Sequence, residues 1–401
     1  MAGYDGLPDR KFTKKQMFII RFLAFGIILS ALAYSANPEG RREVQKNQST
    51  ETITEKEQRE RLQEAVDEVN KAIEDCVPGI ICWGDSLTQG LEVNYPLVLS
   101  EIIRKNITED ISLEEMTNPE YEYLADEYLE DIKTPEVINM GVVGETSITI
   151  TGRAGGIPYV TAEKIVIPEQ CTAVELPLIS ADGKKVTPQN PGHCGLESIT
   201  VSGVTGQLSM ETDESTEEKI YWFTRMEVGD RVEVPQGTEI ITYGSAHYLN
   251  YFPVIYMGTN GYYIGFSDLI KQQRSIIDHQ TDHQDCFIIV GLHVGADEER
   301  KELEKAMVRE YGDKYINLRE YMVKSGITDA NELLNAGIEA TDHDKERMEA
   351  GNPPASLMAK DEFHFNTYGY ELIGNLIYKR MDELGYFDEL QEAVDEIKNQ
   401  S

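Results

Sequence analysis

A doubly wound α/β domain interrupted by an all-β insertion is the fold class this 401-residue sequence predicts, and three observations predict it. Short apolar runs recur at Ile80–Trp83, Val137–Met140, Pro253–Met257, Cys286–Leu292 and Tyr315–Leu318, each the length of a buried strand. Helical patterns fall between most of them, around Tyr95–Arg104, Asp268–His279 and Glu298–Tyr311, and alternation of strand and helix builds a parallel sheet of five strands. Between the second and third runs the texture changes. Gly152 to Ser245 carries alternating or β-branched segments separated by Gly, Pro, Asn and Asp, the signature of a small β-sandwich or barrel.

Taken in order, residues 1–16 form a basic tail, and over residues 1–36 Arg10, Lys11, Lys14, Lys15 and Arg21 outweigh Asp5 and Asp9 by about +3. Phe22 to Tyr34 is continuously apolar or small, and Met17–Ile20 extend it across Arg21. This length suits a signal peptide cleaved near Ala31-Leu32-Ala33, or a signal anchor over 17–35 with Arg21 reaching the interface. The anchor is favoured, and both place the bulk of the chain outside the cytoplasmic membrane, with the membrane as a partner through the N-terminal segment. Residues 36–76 read as a charged helical stalk, with Leu62, Val66, Val69, Ile73 and Cys76 at helical intervals. Packing on the domain is favoured over a coiled-coil seam because fewer than three clean heptads are visible. The α/β domain then occupies 77–151 and 246–390, with the inserted β-sandwich-like domain at 152–245.

The net charge of −34 repels nucleic acid and offers no basic stripe, so no nucleic-acid role is expected. Five cysteines, Cys76, Cys82, Cys171, Cys194 and Cys286, are too few and odd in number for a disulfide scaffold. Cys171 with Cys194 is the one pairing the sequence offers, since both lie in the β segment.

In an open parallel sheet, ligands sit beyond the carboxyl ends of the strands. The first strand delivers Gly84-Asp85-Ser86-Leu87 there, the second Gly141-Val142-Val143-Gly144-Glu145-Thr146, and the third Gly258-Thr259-Asn260-Gly261. Asp361-Glu362-Phe363-His364 precedes a helix over Thr367–Glu383. Each is also ordinary turn or helix-entry sequence taken singly, but together they supply the parts of acyl transfer. In that scheme Ser86 is the candidate nucleophile, His364 the candidate base and Asp361 the carboxylate to orient it, and the N–H groups of Ser86 and Gly144 with the Asn260 amide could form an oxyanion hole.

These motifs resemble the SGNH hydrolases, the GDSL esterase and lipase family, over about 230 residues outside the leader, stalk and insertion. The resemblance implies the same assignments for Ser86, Gly144, Asn260, Asp361 and His364. It further implies a flavodoxin-like three-layer α/β/α sandwich and metal-independent ester hydrolysis with no cofactor. Gly261 stands where the third block commonly has aspartate.

Around that centre, Asp85, Glu145, Tyr262 and His293 are candidate substrate contacts. Tyr243, Tyr248 and Tyr251 could offer faces to sugar rings, whereas Tyr221-Trp222-Phe223 reads as β-core packing. The β insertion leaves from a strand's carboxyl end and is expected to overhang the substrate groove, while the acidic stretch Glu109–Asp131 is expected at the amino edge as a solvated elaboration. His279 and His283 with Asp278, Asp282 and Asp285 have metal-like spacing, but they precede a strand at the edge remote from Ser86, so no metal is expected. His343 is a weaker base candidate than His364. The expected activity is deacylation, most naturally deacetylation, of an extracytoplasmic glycan or small ester. A lipase or lysophospholipase and a non-catalytic glycan-binding surface protein are the alternatives, and oligomeric state is not readable.

Overall fold

The computed structural model describes residues 40–400 apart from 91, 118, 122 and 296. The tail and the 17–35 segment therefore lie outside the described residues. Among those described, no helix is long and apolar enough to cross a membrane.

The chain is α/β, built on one parallel sheet of five strands: β1 (Ile80–Gly84), β2 (Val137–Gly141), β3 (Phe252–Tyr256), β4 (Ile288–Val290) and β5 (Tyr315–Ile316). Their spatial order is β5-β4-β3-β1-β2. In register, Ile80 pairs with Phe252 on one side and Val137 on the other, so Gly84, Gly141 and Tyr256 end three neighbouring strands at one level. Every residue of β1 and β3 is buried, as expected of strands covered on both faces.

The helices that frame the sheet and the site are α1 (Gly40–Cys76), α2 (Ser86–Gln89), α3 (Tyr95–Ile111), α4 (Ser147–Arg153), α5 (Gly265–His279), α6 (Glu298–Tyr311), α7 (Thr367–Glu383) and α8 (Asp388–Gln400). The segment read as a stalk is joined to the domain along its second half. Leu62, Val66, Val69 and Ile73 of α1 are buried in the main core, and full burial of such side chains is worth roughly 1.5–3 kcal/mol each. The acidic stretch after α3 packs with α1, which corrects its reading as a solvated elaboration. Leu113, Met116, Tyr121, Leu124 and Ala125 turn inward, while Arg59 Nη1 meets Glu127 Oε2 at 2.5 Å and the Asn70 amide donates to the Asp131 carbonyl at 2.9 Å. Its apolar residues are spaced irregularly along short helical turns, so charge masked them in the sequence.

Between β2 and β3 lies a separate antiparallel sheet of seven strands. In spatial order they are Val174–Glu175, Lys219–Arg225, Val204–Thr212, Ile199–Val201, Glu239–Thr242, Tyr159–Thr161 and Leu178–Ser180. Val232–Val234 pairs with Ile165–Ile167 as a second, two-stranded sheet. These strands enclose their own apolar cluster, including Tyr159, Ile167, Leu196, Val201, Phe223 and Val234. Tyr221 and Phe223 are buried, in keeping with core packing, whereas Trp222, on the opposite face of the strand, is half-buried. All five cysteines are free, which corrects the Cys171–Cys194 pairing. Cys171 is exposed, whereas Cys194 is tucked toward the end of β2, its Sγ 3.8 Å from the Gly141 carbonyl oxygen.

Candidate active site

The turn after β1 is forced by packing. A Cβ on Gly84 would lie 2.0 Å from Thr88 Oγ1 and 2.5 Å from the Tyr256 carbonyl oxygen, so only glycine lets the chain fold back against β3. Asp85 then caps α2, its Oδ1 accepting from the Leu87 N–H at 3.0 Å. Ser86 is thereby fixed as the first residue of α2, at the carboxyl end of the sheet.

His364 reaches it from the far end of the chain. His364 Nε2 is 2.9 Å from Ser86 Oγ and Nδ1 is 2.6 Å from Asp361 Oδ2, across a sequence separation of 278 residues for the first contact. With Nδ1–H donating to the carboxylate, Nε2 is left to accept from the hydroxyl. Asp361 Oδ1 also accepts from the main-chain N–H groups of Phe363 and His364, at 3.0 Å each. The bond from His364, together with those amides, holds the Asp361 carboxyl down at about 2.

Two further loops are stitched beside Ser86. Gly144 has φ +74° at the third position of the turn closed by the Glu145 N–H on the Val142 carbonyl, and no atom would crowd a Cβ there. Asn260 donates through Nδ2 to the Glu145 carbonyl at 2.9 Å, and the Ser147 N–H and hydroxyl both donate to the Gly261 carbonyl. One amide hydrogen of Asn260 is thus a tether and the other remains. Neither the Ser86 nor the Gly144 N–H has an acceptor among the described residues. Such free donors next to a nucleophile are what a developing oxyanion needs.

No protein-family model matches the chain, and no curated protein or solved structure matches it either. Any functional reading therefore stands on the geometry of the site.

Of the four candidate substrate contacts, only Tyr262 is exposed, at 54%. Asp85 is fully buried; burial pushes its carboxyl up to about 6 against the bond from Leu87, and Oδ2 faces Thr259 without forming a hydrogen bond. Glu145 is a buried ion-pair partner: its Oε2 accepts from Arg153 Nε at 2.9 Å and Nη2 at 2.7 Å, and Oε1 accepts from the Gln189 N–H at 3.2 Å. His293 is buried beneath the site, with Nδ1 2.6 Å from the Tyr256 hydroxyl and Nε2 2.8 Å from the Phe363 carbonyl oxygen. These three are supports of the site, not surfaces for a ligand. Sequence spacing placed them at the right strand ends but could not tell inward from outward side chains in loops.

The remaining candidates lie elsewhere. Tyr243 stacks on His247, Tyr248 packs edge-on against Tyr251, and the Tyr251 hydroxyl bonds Glu136, just before β2. These tyrosines therefore sit at the amino end of the sheet, because β3 begins immediately after them. The insertion meets the segment after β2 at several points: the Gln189 N–H donates to Glu145 Oε1 at 3.2 Å, the Thr187 N–H to Thr149 Oγ1 at 3.0 Å and the Tyr159 hydroxyl to the Thr149 carbonyl at 2.6 Å, while Arg153 Nη1 holds the Cys194 carbonyl at 2.7 Å. His279 Nε2 bonds the Ser245 carbonyl and His283 packs edge-on against Phe252; among the described residues no His, Cys, Asp and Glu group is arranged to hold a metal. His343 Nε2 meets Glu362 Oε1 at 2.8 Å, and Arg347 Nη1 meets Glu362 Oε2 at 2.5 Å. Sequence reasoning missed this clamp on the Asp361–His364 turn, in which Glu362 has φ +55°.

Proposed function

We propose that the protein is an extracytoplasmic serine esterase of the SGNH type, acting through an acyl-enzyme on acetylated carbohydrate. The observation that carries this reading is the chain of contacts from Ser86 Oγ to His364 Nε2 at 2.9 Å and from His364 Nδ1 to Asp361 at 2.6 Å. The strand order β2-β1-β3-β4-β5, which is that of flavodoxin-like sandwiches, supports the fold expected for that family.

In this mechanism His364 Nε2 takes the Ser86 proton as Oγ attacks the ester carbonyl carbon. The oxyanion accepts from the Ser86 and Gly144 N–H groups and the free hydrogen of the Asn260 amide, and each such donor is worth about 3 kcal/mol of barrier. Collapse breaks the bond to the alcohol oxygen, which receives the proton from His364. Water, deprotonated by the same nitrogen, then releases the acid and restores Ser86. Asp361 orients the imidazole and stays ionised throughout.

A fluorophosphonate should label Ser86, and the purified protein should hydrolyse aryl acetates and release acetate from acetylated glycans. Undiminished hydrolysis by Ser86→Ala sinks the assignment. One observation favours a second reading, a lipase: Val143, Tyr262 and Ile264, on the two loops that flank the oxyanion donors, are 60%, 54% and 84% exposed. A series of aryl esters separates the two, since a lipase gains kcat/KM with acyl length and an acetylesterase loses it.

A further inference from the structure

An open groove of about 640 Å³ lies between the segments that follow Ser86 and His364, and neither of those two residues lines it. One wall is Gln89, Glu92 and Val93, which follow the nucleophile, and the other is Phe365, Thr367 and Tyr370, which follow His364. Both walls are tied to the reacting groups through the main chain. The Gly90 N–H donates to the Ser86 carbonyl at 2.9 Å, and the Ala359 N–H donates to the His364 carbonyl at 2.7 Å. The volume lies in the range of small-molecule sites.

We propose that this groove binds the alcohol half of the ester, and that the alcohol is a neutral, polyhydroxylated one such as a sugar ring. This assignment rests on the esterase reading and on where the proton must go. The departing oxygen must lie against His364 Nε2 to be protonated, whereas the carbonyl oxygen must lie against Gly144 and Asn260. The alcohol therefore extends along the segment that carries His364, and the acyl group extends away from it, toward the loop of Asn260 and Tyr262. The walls select its chemistry. Gln89, whose Oε1 accepts from the Val143 N–H at 2.7 Å, has its amide Nε2 to offer, and Thr367 offers a hydroxyl, beside the half-buried Val93 and the edges of the buried Phe365 and Tyr370, a mixture suited to a ring with hydroxyl edges and C–H faces. Glu92 is exposed at the mouth of a chain carrying −34, so a phosphate- or carboxylate-bearing alcohol is repelled. An open groove also admits an oligosaccharide that continues beyond it.

The test compares kcat/KM for a mono-O-acetylated glucose disaccharide, for ethyl acetate and for O-acetylated glucuronate. Thr367→Trp, a change at an exposed helix start, should lower the ratio of disaccharide to ethyl acetate at least tenfold. Glu92→Lys should raise the ratio of glucuronate to glucose ester at least fivefold. Both ratios staying within twofold of wild type overturns the groove assignment. Failure of the esterase reading is separate, seen as no Ser86-dependent turnover of any ester. In that case binding of the unacetylated disaccharide is followed by NMR: weaker binding to Thr367→Trp than to wild type supports the groove, and equal or undetectable binding overturns it.

Discussion

His293 Nε2 donates to the main-chain carbonyl of Phe363 at 2.8 Å, so a buried side chain at the end of β4 holds the residue immediately before His364. The Tyr256 hydroxyl, at the end of β3, donates to the other ring nitrogen at 2.6 Å. The sheet thus reaches the Asp361–His364 turn through two side chains that touch neither Ser86 nor solvent. His293→Gln and Tyr256→Phe should each lower kcat on an aryl acetate by roughly tenfold or more with little change in KM, because a displacement of His364 by a fraction of an ångström misaligns proton transfer. An unchanged kcat with a lower urea midpoint would assign them a stabilising role only.

The same histidine predicts a pH dependence of stability. Burial lowers the His293 imidazole to about 4, below its ordinary value near 6.5, so the folded protein resists the proton that the unfolded chain accepts. Its contribution is complete above about pH 6.5 and is lost as pH falls toward 4, by about 3 kcal/mol. Asp85, raised to about 6, acts in the opposite sense, its ionisation costing stability as pH rises from near 4 through 6. Urea midpoints of wild type and His293→Gln between pH 4 and 8 should therefore diverge, with the variant losing less stability on acidification.

Asp361→Asn should lower kcat by about 10²–10⁴-fold, because an amide no longer enforces the tautomer that leaves Nε2 free. Since Asp361 remains ionised down to about pH 2, it adds no acid limb to the wild-type rate above pH 3. Initial rates from pH 3 upward check both statements.

Arg153 and Glu145 pair with no exposure of either side chain, and the guanidinium also covers the Trp83 ring at 5.2 Å. Arg153→Leu should cost roughly 3–5 kcal/mol by leaving a buried carboxylate unpaired, and Glu145→Leu in the same chain should restore much of it. Equilibrium unfolding of the two single variants and the double variant measures the coupling.

Glycines 84 and 144 should respond differently to alanine. Gly84→Ala drives a methyl into Thr88 and the β3 main chain, so folding and activity are both lost. Gly144→Ala meets empty space and carries only the penalty of φ +74°, about 1–2 kcal/mol. Thermal melts should retain a folded Gly144→Ala protein, with activity reporting any shift of its N–H.

Much of the architecture is legible in the residues. The apolar runs at Ile80, Val137, Phe252, Ile288 and Tyr315 became five parallel strands because uninterrupted β-branched and aromatic segments of that length are stable only when buried on both faces. Glu239–Thr242 and Ser198–Val201 likewise announced the insertion by alternation. Asp361 and His364 were readable as a pair because three residues in a turn bring a carboxylate back to an imidazole. The direction of loop side chains was not legible, since no periodicity governs it: Glu145 and His293 point into the protein, and Tyr262 points out. The tyrosines before β3 were misplaced for a related reason, since the insertion returns to the end of the sheet opposite the one it left.

The sequence by itself determined the parallel sheet and the antiparallel insertion and singled out Ser86, Asp361 and His364 as candidates, because pattern and spacing are local properties of a chain. Only the tertiary structure decided that Ser86 and His364 meet at 2.9 Å, and that Glu145, His293 and Glu362 brace them from within. Contacts across 278 residues depend on how layers pack and which way each loop turns, and these are set by burial and hydrogen-bond satisfaction summed over the whole fold.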